Sequence, residues 1–436
     1  MQTCDITDIS RFNDRIHETL PIYKLKHDNR DYFYSPGLSL PVNEVEFSLL
    51  EYAFRHNDTS NLSDVLLKEY DRLLKHSSAM AELFAARKNR QYIPECLTID
   101  ISDDCNLNCN YCYTRKYSKP SAKNKIIDKK IVEAASRLVA GNCRDLRKPF
   151  VVVFHGGGEP TFHWEYLIEL YHLTRTIAEE YKIEFFSYIS TNGILTRDKA
   201  LWLTENFNLV GISIDGPAYI HDINRKTING NNSSGIVTDA INFIIQHSGK
   251  IEIRSTITRD TVLSQQEIVE YFISKLGVKV IHFEPAYGKS NFIHDIDDAM
   301  MFAEHFIEAW KTAESLGGQL YFSGVRLNEI HSAYCEVLRN NLRLEPDGKS
   351  VNCFFNRDNL VTGHYNESIN KFILYKDKID ELIKRTSLPL SKCGDCFLEY
   401  HCSKGCPDYC ILEEEKQANN NPRCLIHRQI MLSQLD

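Results

Sequence analysis

The chain has 436 residues, of which 43% are hydrophobic and 25% are charged, and its formal net charge is −8. It is long enough for two or three domains, and its composition is that of a folded protein with a sizeable core. The acidic surplus argues against nucleic-acid binding, which requires a basic patch or stripe. No apolar run approaches the ~20 residues that span a bilayer, and the N-terminus lacks the pattern of a signal peptide. The sequence therefore predicts a cytoplasmic protein that binds neither nucleic acid nor a membrane.

Residues 1–92 carry the pattern of a small α+β module and are predicted to form the first domain. Asn43 is the expected cap of a helix, because Glu46 follows it by three residues, as in a capping box. The expected elements are two short strand-like pieces and two helical stretches, at residues 22–25, 32–34, 42–54 and 62–83.

Residues 93–318 alternate between short apolar runs and helical patterns, which indicates βα units around a parallel sheet. The strand candidates are residues 97–102, 150–155, 183–190, 209–214, 251–257 and 278–284. The helix candidates are residues 129–139, 164–181, 199–205, 235–246, 265–275 and 298–316. Six units are too few for a closed eight-stranded barrel. We therefore predict an α/β fold with a partial, open (β/α)6 barrel of parallel strands.

Residues 319–436 form the third predicted domain, which is rich in Cys and Asn and shows no further alternation. Cross-linking by metal would replace the large core that such a segment cannot easily build. Ten of the 14 cysteines in the chain fall in spaced groups, which in a reducing compartment favours metal ligation over disulfide bonds. Cys4, Cys96 and Cys143 stand alone and are expected to be plain thiols that pack as small apolar residues.

Three of the patterned cysteines lie on a loop directly after the first predicted barrel strand. Cys105, Cys109 and Cys112 fall at the carboxyl end of that strand, where barrel enzymes place their chemistry. Three thiolates would leave one iron of a four-iron cluster open to a substrate or cofactor, much as a three-ligand zinc site has an open position. Spacing alone also permits a structural zinc knuckle with a fourth ligand elsewhere, because soft thiolates suit both metals.

The C-x3-C-x2-C spacing, with the aromatic Tyr111 just before the last cysteine, resembles the signature of the radical SAM superfamily, which uses S-adenosylmethionine (SAM). The likeness continues at the ends of the next strands, in the segments HGGGEP from His155, STNG from Ser190 and SIDGP from Ser213. Each short motif alone would usually be a turn, but all of them would face one mouth of the barrel. This continuation favours iron–sulfur over zinc.

The resemblance implies that the barrel mouth binds SAM. Glu159 would accept hydrogen bonds from the SAM ammonium, Ser213 would contact the SAM carboxylate, and Arg254 is a candidate counter-ion. The full set of expected cofactor-binding residues is Tyr111, Tyr113, Gly157, Gly158, Glu159, Ser190, Asn192, Ser213, Asp215, Arg225 and Arg254. Two of them have simpler alternatives, since Asp215 could merely cap a helix and Arg225 could serve in a structural ion pair.

The activity implied by the resemblance is reductive cleavage of SAM to a 5′-deoxyadenosyl radical, which abstracts hydrogen from the substrate. The protein would position the cofactor and exclude side reactions. An electron donor such as flavodoxin or ferredoxin is expected as a partner. The non-enzymatic alternative is an iron–sulfur electron-transfer protein without SAM chemistry, and the intact motifs argue against it.

The later cysteines match, one by one, the seven-cysteine pattern of the SPASM domain, which holds two auxiliary [4Fe–4S] clusters. The resemblance implies an inner cluster on Cys335, Cys353 and Cys406 and an outer cluster on Cys393, Cys396, Cys402 and Cys424. Three [4Fe–4S] clusters are therefore expected in all. Relatives with a complete inner site carry a further cysteine shortly before the first of these, where this chain offers Glu329 and His331. The inner cluster is thus expected to have an open iron or a non-cysteine ligand, unless Cys410 completes it.

SPASM enzymes divide mainly into sulfatase maturases and maturases of ribosomally made peptides (RiPP maturases). Sulfatase maturases carry an aspartate base directly after the second SPASM cysteine, where this chain has Phe354, although Asp358 lies near in sequence. We therefore expect a peptide maturase that installs a thioether or carbon–carbon crosslink, an epimerisation or an excision in a precursor peptide. Residues 1–92 would be a winged-helix-like domain that binds the leader of the precursor, or else a structural cap on the barrel. The sequence names neither the substrate nor a catalytic residue.

Overall fold

The computed structural model describes most of the chain. The described residues are 19–27, 29–88, 90–112, 125–286, 292–326, 329–331, 340–351, 361–387, 396–402 and 422–435. Several residues singled out from the sequence lie outside these ranges, namely Cys4, Tyr113, Cys335, Cys353, Phe354, Asp358, Cys393, Cys406 and Cys410.

The N-terminal module is a three-stranded antiparallel sheet followed by two helices. Its elements are β1 (Tyr23–His27), β2 (Arg30–Ser35), β3 (Leu38–Val42), α1 (Glu44–His56) and α2 (Asp64–Lys88). The predicted capping box is confirmed, because Asn43 Oδ1 accepts from the Glu46 N–H at 3.0 Å and Glu46 Oε2 accepts from the Asn43 N–H at 3.1 Å. The sequence pattern does not predict β3, because its five residues run directly into the helix cap.

Both faces of this small sheet are covered. Phe33 packs beneath the two helices in a hydrophobic core that belongs to the module. On the opposite face, the ring of Tyr34 meets the ring of Phe397 edge-on, with centroids 6.2 Å apart. Ser39 Oγ donates to the backbone carbonyl of Leu435 at 3.0 Å. The module is therefore built onto the C-terminal part of the molecule through a shared core.

Parallel strands and helices alternate through the middle of the chain. The strands are β4 (Cys96–Ile99), β5 (Phe150–Phe154), β6 (Phe185–Thr191), β7 (Leu209–Ser213), β8 (Ile251–Ile257), β9 (Val280–Pro285) and β10 (Gln319–Tyr321). The helices are α3 (Lys129–Leu146), α4 (Trp164–Tyr181), α5 (Arg197–Asn206), α6 (Ala218–Asn224), α7 (Ser234–Gln246), α8 (Gln265–Glu270) and α9 (Ile296–Ser315). A π-helical turn at Tyr271–Lys275 follows α8 directly. Among the helices of the described residues, none is both long and apolar enough to cross a membrane.

Strands β4 to β10 lie side by side in chain order and pair in parallel. The predicted α/β fold with a parallel sheet at its core is confirmed. The sheet is wider than the six predicted strands, because β10 extends one edge and β11 (Asn341–Leu344) pairs in parallel with β4 at the other. These two strands have only three and four residues, which is too short for an apolar pattern to single them out.

The C-terminal part continues the same sheet. After β11 come β12 (Lys349–Val351), β13 (Val361–Asn366) and β14 (Lys371–Leu374), each antiparallel to its neighbour, and then helices α10 (Lys376–Ser387) and α11 (Pro422–Leu432). A buried ion pair joins this extension to the barrel. Arg343 Nη2 on β11 lies 2.9 Å from Asp100 Oδ2 just after β4, and neither side chain is more than 5% exposed.

Candidate active site

The loop with the first three cysteines leaves β4 and is held along its length by backbone hydrogen bonds to the segment around the end of α6. The N–H of Asn108 donates to the carbonyl of Lys226 at 2.7 Å, and the N–H of Asn110 donates to the carbonyl of Asn224 at 3.0 Å. The side chain of Leu107 is buried and anchors the middle of the loop. The course of this loop is therefore set by the chain itself.

Cys105, Cys109 and Cys112 are half-buried on this loop. Burial, together with the neighbouring charges of Glu159, Cys109 and Cys112, raises the pKa of Cys105 to about 11 against an opposing hydrogen bond from the Leu107 N–H. The three thiols thus share one electrostatic neighbourhood. Within the described ranges no three His, Cys, Asp or Glu side chains converge tightly enough for a single metal ion. A four-iron cluster is larger than one ion, and three soft thiolates on one loop fit it with one iron open.

The glycines of the HGGGEP segment make room for the cysteine loop. A Cβ on Gly158 would collide with the backbone carbonyl of Asp104. The N–H of Gly157 donates to Asp100 Oδ2 at 2.9 Å, and the N–H of Glu159 donates to the carbonyl of Asp104 at 2.8 Å. The close approach that glycine permits therefore seats the loop against the end of β5.

Glu159 is buried and links the ends of β5 and β6 by hydrogen bonds. Its Oε1 accepts from the hydroxyls of Thr161 at 2.8 Å and Thr191 at 2.7 Å, and its Oε2 accepts from the N–H of Asn192 at 2.7 Å. Burial raises the pKa of Glu159, and these hydrogen bonds oppose that shift. Among the described atoms, Oε2 has this single donor, so the carboxylate can still accept a hydrogen bond from the ammonium of SAM.

Asn192 connects the end of β6 to the cysteine loop. Its Nδ2 donates to Asn106 Oδ1 at 2.7 Å and lies 3.8 Å from Cys105 Sγ. Ser190, also predicted to bind SAM, is buried near the end of β6, two residues before Asn192. The structure thus brings Glu159 and Asn192 to the loop that carries the cysteines.

Tyr111, Asp215 and Arg225 meet in a second network at the same mouth. The hydroxyl of Tyr111 donates to Asp215 at 2.7 Å and accepts from Arg225 Nη1 at 2.8 Å. Asp215 and Arg225 are both buried, so the phenol links two opposite charges away from water. Burial raises the pKa of Asp215, and the charge of Arg225 opposes that shift. The network ties the aromatic residue before Cys112 to the end of β7, which gives Asp215 more than a helix-capping role.

Arg254 lies opposite Ser213 in the register of β7 and β8, but its guanidinium contacts side chains nearer the starts of the strands. Its Nε donates to the hydroxyl of Tyr188 at 3.0 Å, and its Nη2 lies 3.0 Å from Glu252 Oε1. His282 Nε2 lies 3.4 Å from Glu252 Oε2. Burial alone would raise the pKa of Glu252, but the hydrogen bond from His282 and the charge of Arg254 lower it to about 2. Arg254 therefore belongs to an ionised cluster one layer below the cysteine loop.

Sequence reasoning missed this cluster. Its members come from β6, β8 and β9, and no local motif joins residues so far apart in the chain. A signal was present in the alternation of Glu252 and Arg254 with Ile251 and Ile253, which places both charged side chains on one face of the strand.

Three of the seven predicted auxiliary-cluster ligands lie in described parts of the chain. Cys396 and Cys402 flank a short turn, and Cys424 is the third residue of α11. Of the side chains considered for the inner cluster, His331 is buried and its Nε2 lies 3.6 Å from Glu329 Oε2. The ligand sets of both auxiliary clusters stay predictions.

The sequence profile of the radical SAM superfamily matches residues 99–266, a range that includes the cysteine loop, Glu159, Asn192 and Asp215. Residues 99–266 of this chain therefore form a radical SAM domain. The superfamily implies a [4Fe–4S] cluster and SAM as cofactors, and the barrel mouth just described offers three thiolates and a buried carboxylate to hold them.

Some proteins are similar to this chain over most of its length. The cysteine-type anaerobic sulfatase-maturating enzyme of Clostridium perfringens (strain 13 / Type A) is 25% identical over 352 residues, which are 75% of this chain and 92% of the relative. Native anSMEcpe, solved with bound AdoMet and Cp18Cys peptide, has a TM-score of 0.61 at 23% identity over 77% of this chain and 95% of its own. Streptococcus suis SuiB, solved with precursor peptide SuiA, has a TM-score of 0.56 at 17% identity over 96% of this chain and 98% of its own. Both structural likenesses concern the fold. The one to SuiB includes most of the N-terminal module, because it covers 96% of this chain.

Proposed function

We propose that this radical SAM enzyme is a maturase of a ribosomally made precursor peptide. When bound, the reduced cluster and SAM supply a hydrogen-abstracting radical, and the enzyme directs it to the peptide to make a thioether or carbon–carbon crosslink, an epimerisation or an excision. Two proteins of similar fold, SuiB and anSMEcpe, were solved with a bound peptide. The observation that carries the proposal is the likeness of fold to SuiB, which was solved bound to a precursor peptide. That likeness covers 96% of this chain and so includes most of the N-terminal module.

The proposed cofactors are SAM and three [4Fe–4S] clusters. The first cluster would be held by Cys105, Cys109 and Cys112, with Glu159 accepting a hydrogen bond from SAM. The two auxiliary clusters would be held by Cys335, Cys353 and Cys406 and by Cys393, Cys396, Cys402 and Cys424. A flavodoxin or ferredoxin would supply the electron.

The proposed leader-binding site is a cleft of about 930 Å³ on the N-terminal module, between the β1–β2 hairpin and the first turns of α1. Lys24, Lys26 and Arg30 line it, and Phe47 gives it an apolar floor, with Lys24 Nζ 3.8 Å from the ring centroid. Strands β1 and β3 form the outer edges of the three-stranded sheet. An extended leader would add to such an edge by backbone hydrogen bonds while its side chains enter the cleft.

Sulfatase maturation is the second candidate function. The likeness to the Clostridium perfringens enzyme, over most of both chains, supports it as well as it supports peptide maturation in general. Phe354, at the position where sulfatase maturases carry an aspartate, argues against it on sequence grounds.

The experiment that separates the two functions offers the anaerobically reconstituted enzyme two substrates. One is the peptide encoded by a short reading frame next to the gene, and the other is a cysteine-containing sulfatase peptide. Peptide maturation predicts that mass spectrometry and stereochemical analysis find a change in the first peptide only, with matching formation of 5′-deoxyadenosine. Modification of the sulfatase peptide alone would establish the second function, and modification of a small metabolite alone would refute both.

Leader binding is best tested by charge reversal in the cleft. Deleting residues 1–92 would strip the partners of Phe397 and Leu435, so truncation would mix leader loss with damage to the C-terminal part. The double variant Lys24→Glu/Lys26→Glu should weaken precursor binding and leave uncoupled SAM cleavage intact. The matched control is Lys68→Glu/Lys75→Glu, which makes the same charge change on exposed positions of α2. Hydrogen exchange should show leader-dependent protection within residues 22–60, and equal precursor binding by both double variants would rule out this cleft.

A further inference from the structure

Helix α11 carries, on one face, a cysteine and two side chains that contact the sulfurs of other cysteines. Cys424, His427 and Arg428 are spaced by three and four residues, so they share a face of the helix. Cys424 is a proposed ligand of the outer auxiliary cluster. His427 and Arg428 each reach the sulfur of another proposed ligand of that cluster, from the turn that lies across from the helix.

Both contacts have hydrogen-bond geometry for a large sulfur acceptor. His427 Nδ1 lies 3.0 Å from Cys402 Sγ, and Arg428 Nη2 lies 3.8 Å from Cys396 Sγ. The guanidinium of Arg428 can only donate. The imidazole of His427 can donate or accept at Nδ1, so the position of its proton decides the nature of its contact.

The packing around His427 favours a proton on Nδ1. The ring is buried against Phe322, with centroids 5.5 Å apart, and a Cβ on Gly324 would collide with its Nε2. Within the described residues Nε2 has no hydrogen-bond partner, whereas Nδ1 has Cys402. A buried neutral imidazole carries one N–H, and it is best placed where an acceptor exists. His427 therefore donates to the sulfur of Cys402.

We propose that His427 and Arg428 are positioning residues that raise the reduction potential of the outer auxiliary cluster, an inference that rests on the ligand set of the proposed function. A reduced cluster carries one more electron than the oxidised cluster, and its sulfurs hold more negative charge. N–H···S hydrogen bonds stabilise that charge and so favour the reduced state, which is one of the ways in which proteins tune such clusters. Helix α11 would thus supply a ligand and also two donors that make the cluster an easier electron acceptor.

The test is a potentiometric titration followed by electron paramagnetic resonance. It uses full-length chain in which Cys105, Cys109 and Cys112 are alanine, so that the auxiliary clusters alone contribute. His427→Leu should lower the midpoint potential of one cluster by about 59 mV, which is a tenfold loss of preference for the reduced state in a one-electron couple. His427→Asn, which can place an amide N–H near the former Nδ1, should restore most of the shift. Arg428→Gln should lower the same potential, and Arg428→Lys should do so less because it retains the charge.

The outcomes separate this inference from the proposed function. If the parent protein holds iron for fewer than two auxiliary clusters, the ligand set itself is wrong and the inference falls with it. If both clusters are present and neither His427→Leu nor Arg428→Gln changes a midpoint potential, the inference alone is overturned. If His427→Leu loses its cluster, the decision passes to Arg428→Gln, whose side chain is half-buried and whose cluster should persist.

Discussion

The cysteines around Cys105 and those around Cys402 are brought together in different ways. The first three sit on one short loop that backbone hydrogen bonds and buried carboxylates fasten to the ends of several barrel strands. Cys396, Cys402 and Cys424 come from two separate segments; the first is tied by backbone hydrogen bonds to residues 326 and 331, and side chains of α11 contact its sulfurs. One loop thus carries all three ligands at the barrel mouth, whereas the C-terminal site joins two segments, which a bound cluster would cross-link. The following experiments, from the largest expected effect to the smallest, test that contrast.

The strongest test replaces Cys105, Cys109 and Cys112 together with alanine. We expect SAM cleavage to be abolished and iron for one cluster to be lost, because these thiolates are the proposed ligands of the cluster that binds SAM. The barrel should stay folded, since the loop is fastened through its backbone. Formation of 5′-deoxyadenosine, iron content and thermal unfolding measure the three results. Cys143→Ala, at a buried cysteine outside the motif, is the control, and residual SAM cleavage in the triple variant would contradict the assignment.

The counterpart in the C-terminal part is Cys402→Ala combined with Cys424→Ala. Here metal loss should carry structural loss, because ligand binding and local folding are coupled. We expect amide exchange in residues 396–402 and 422–435 to accelerate by at least about tenfold, since local opening reports local stability. Exchange in β5 to β8 should stay unchanged. Equal protection of both regions in this variant would show that the C-terminal site is as preorganised as the barrel mouth.

Glu159 tests how the preorganised mouth binds SAM. Glu159→Ala should raise the dissociation constant of SAM by roughly 10- to 100-fold, because a hydrogen bond to a charged group contributes about 1.5–3 kcal/mol. Part of the loss would come through Asn192, which Glu159 holds by its N–H. Equilibrium binding of SAM to reconstituted protein measures the effect. Glu165→Ala removes the same charge from an exposed position on α4 and should bind SAM normally, so equal affinity in both variants would refute the role.

The smallest expected effect concerns the free energy of unfolding and the cluster around Glu252, below the cysteine loop. The pKa of Glu252 is lowered from 4.5 to about 2, so the folded state binds a proton less readily than the unfolded state. That difference stabilises the protein above pH 4.5 and is lost as the pH falls toward 2. Glu252→Gln should therefore reduce the free energy of unfolding by roughly 1–3 kcal/mol at pH 7. Denaturant unfolding should show the two proteins converging between those pH values, while the exposed Glu165→Gln stays close to the parent throughout.

The sequence predicts the helices and strands whose own residues show a clear period. Helix α4 (Trp164–Tyr181) and strand β8 (Ile251–Ile257) have the predicted bounds, because the helical period of the first and the apolar–polar alternation at the start of the second leave little choice of element. The short strands β3, β10 and β11 escape prediction, since their pairing partners, rather than their own residues, make them strands.

For the candidate active site, the sequence likewise predicts the residues but not their contacts. The residues of the barrel mouth could be named from motifs, because each motif follows its own strand. Their contacts could not be named, since Tyr111 meets Asp215 and Arg225 only after the sheet has formed. The same holds for Tyr188 and Glu252, which lie 2.8 Å apart on strands far apart in sequence.

The ion pair between Asp100 and Arg343 restricts how such enzymes can exchange parts. A recombinant that joins the cysteine-rich segment of this chain to a foreign barrel brings Arg343 with it, and the new host must supply an acid where Asp100 stands. Without that acid the graft would lose the 2.9 Å contact of a buried arginine and keep the longer 3.9 Å one to Glu345. Breaking a buried pair costs up to about 3–5 kcal/mol, which is a large share of the stability of a domain. Modular swapping in this lineage therefore has to transplant at least one residue from the far side of the junction.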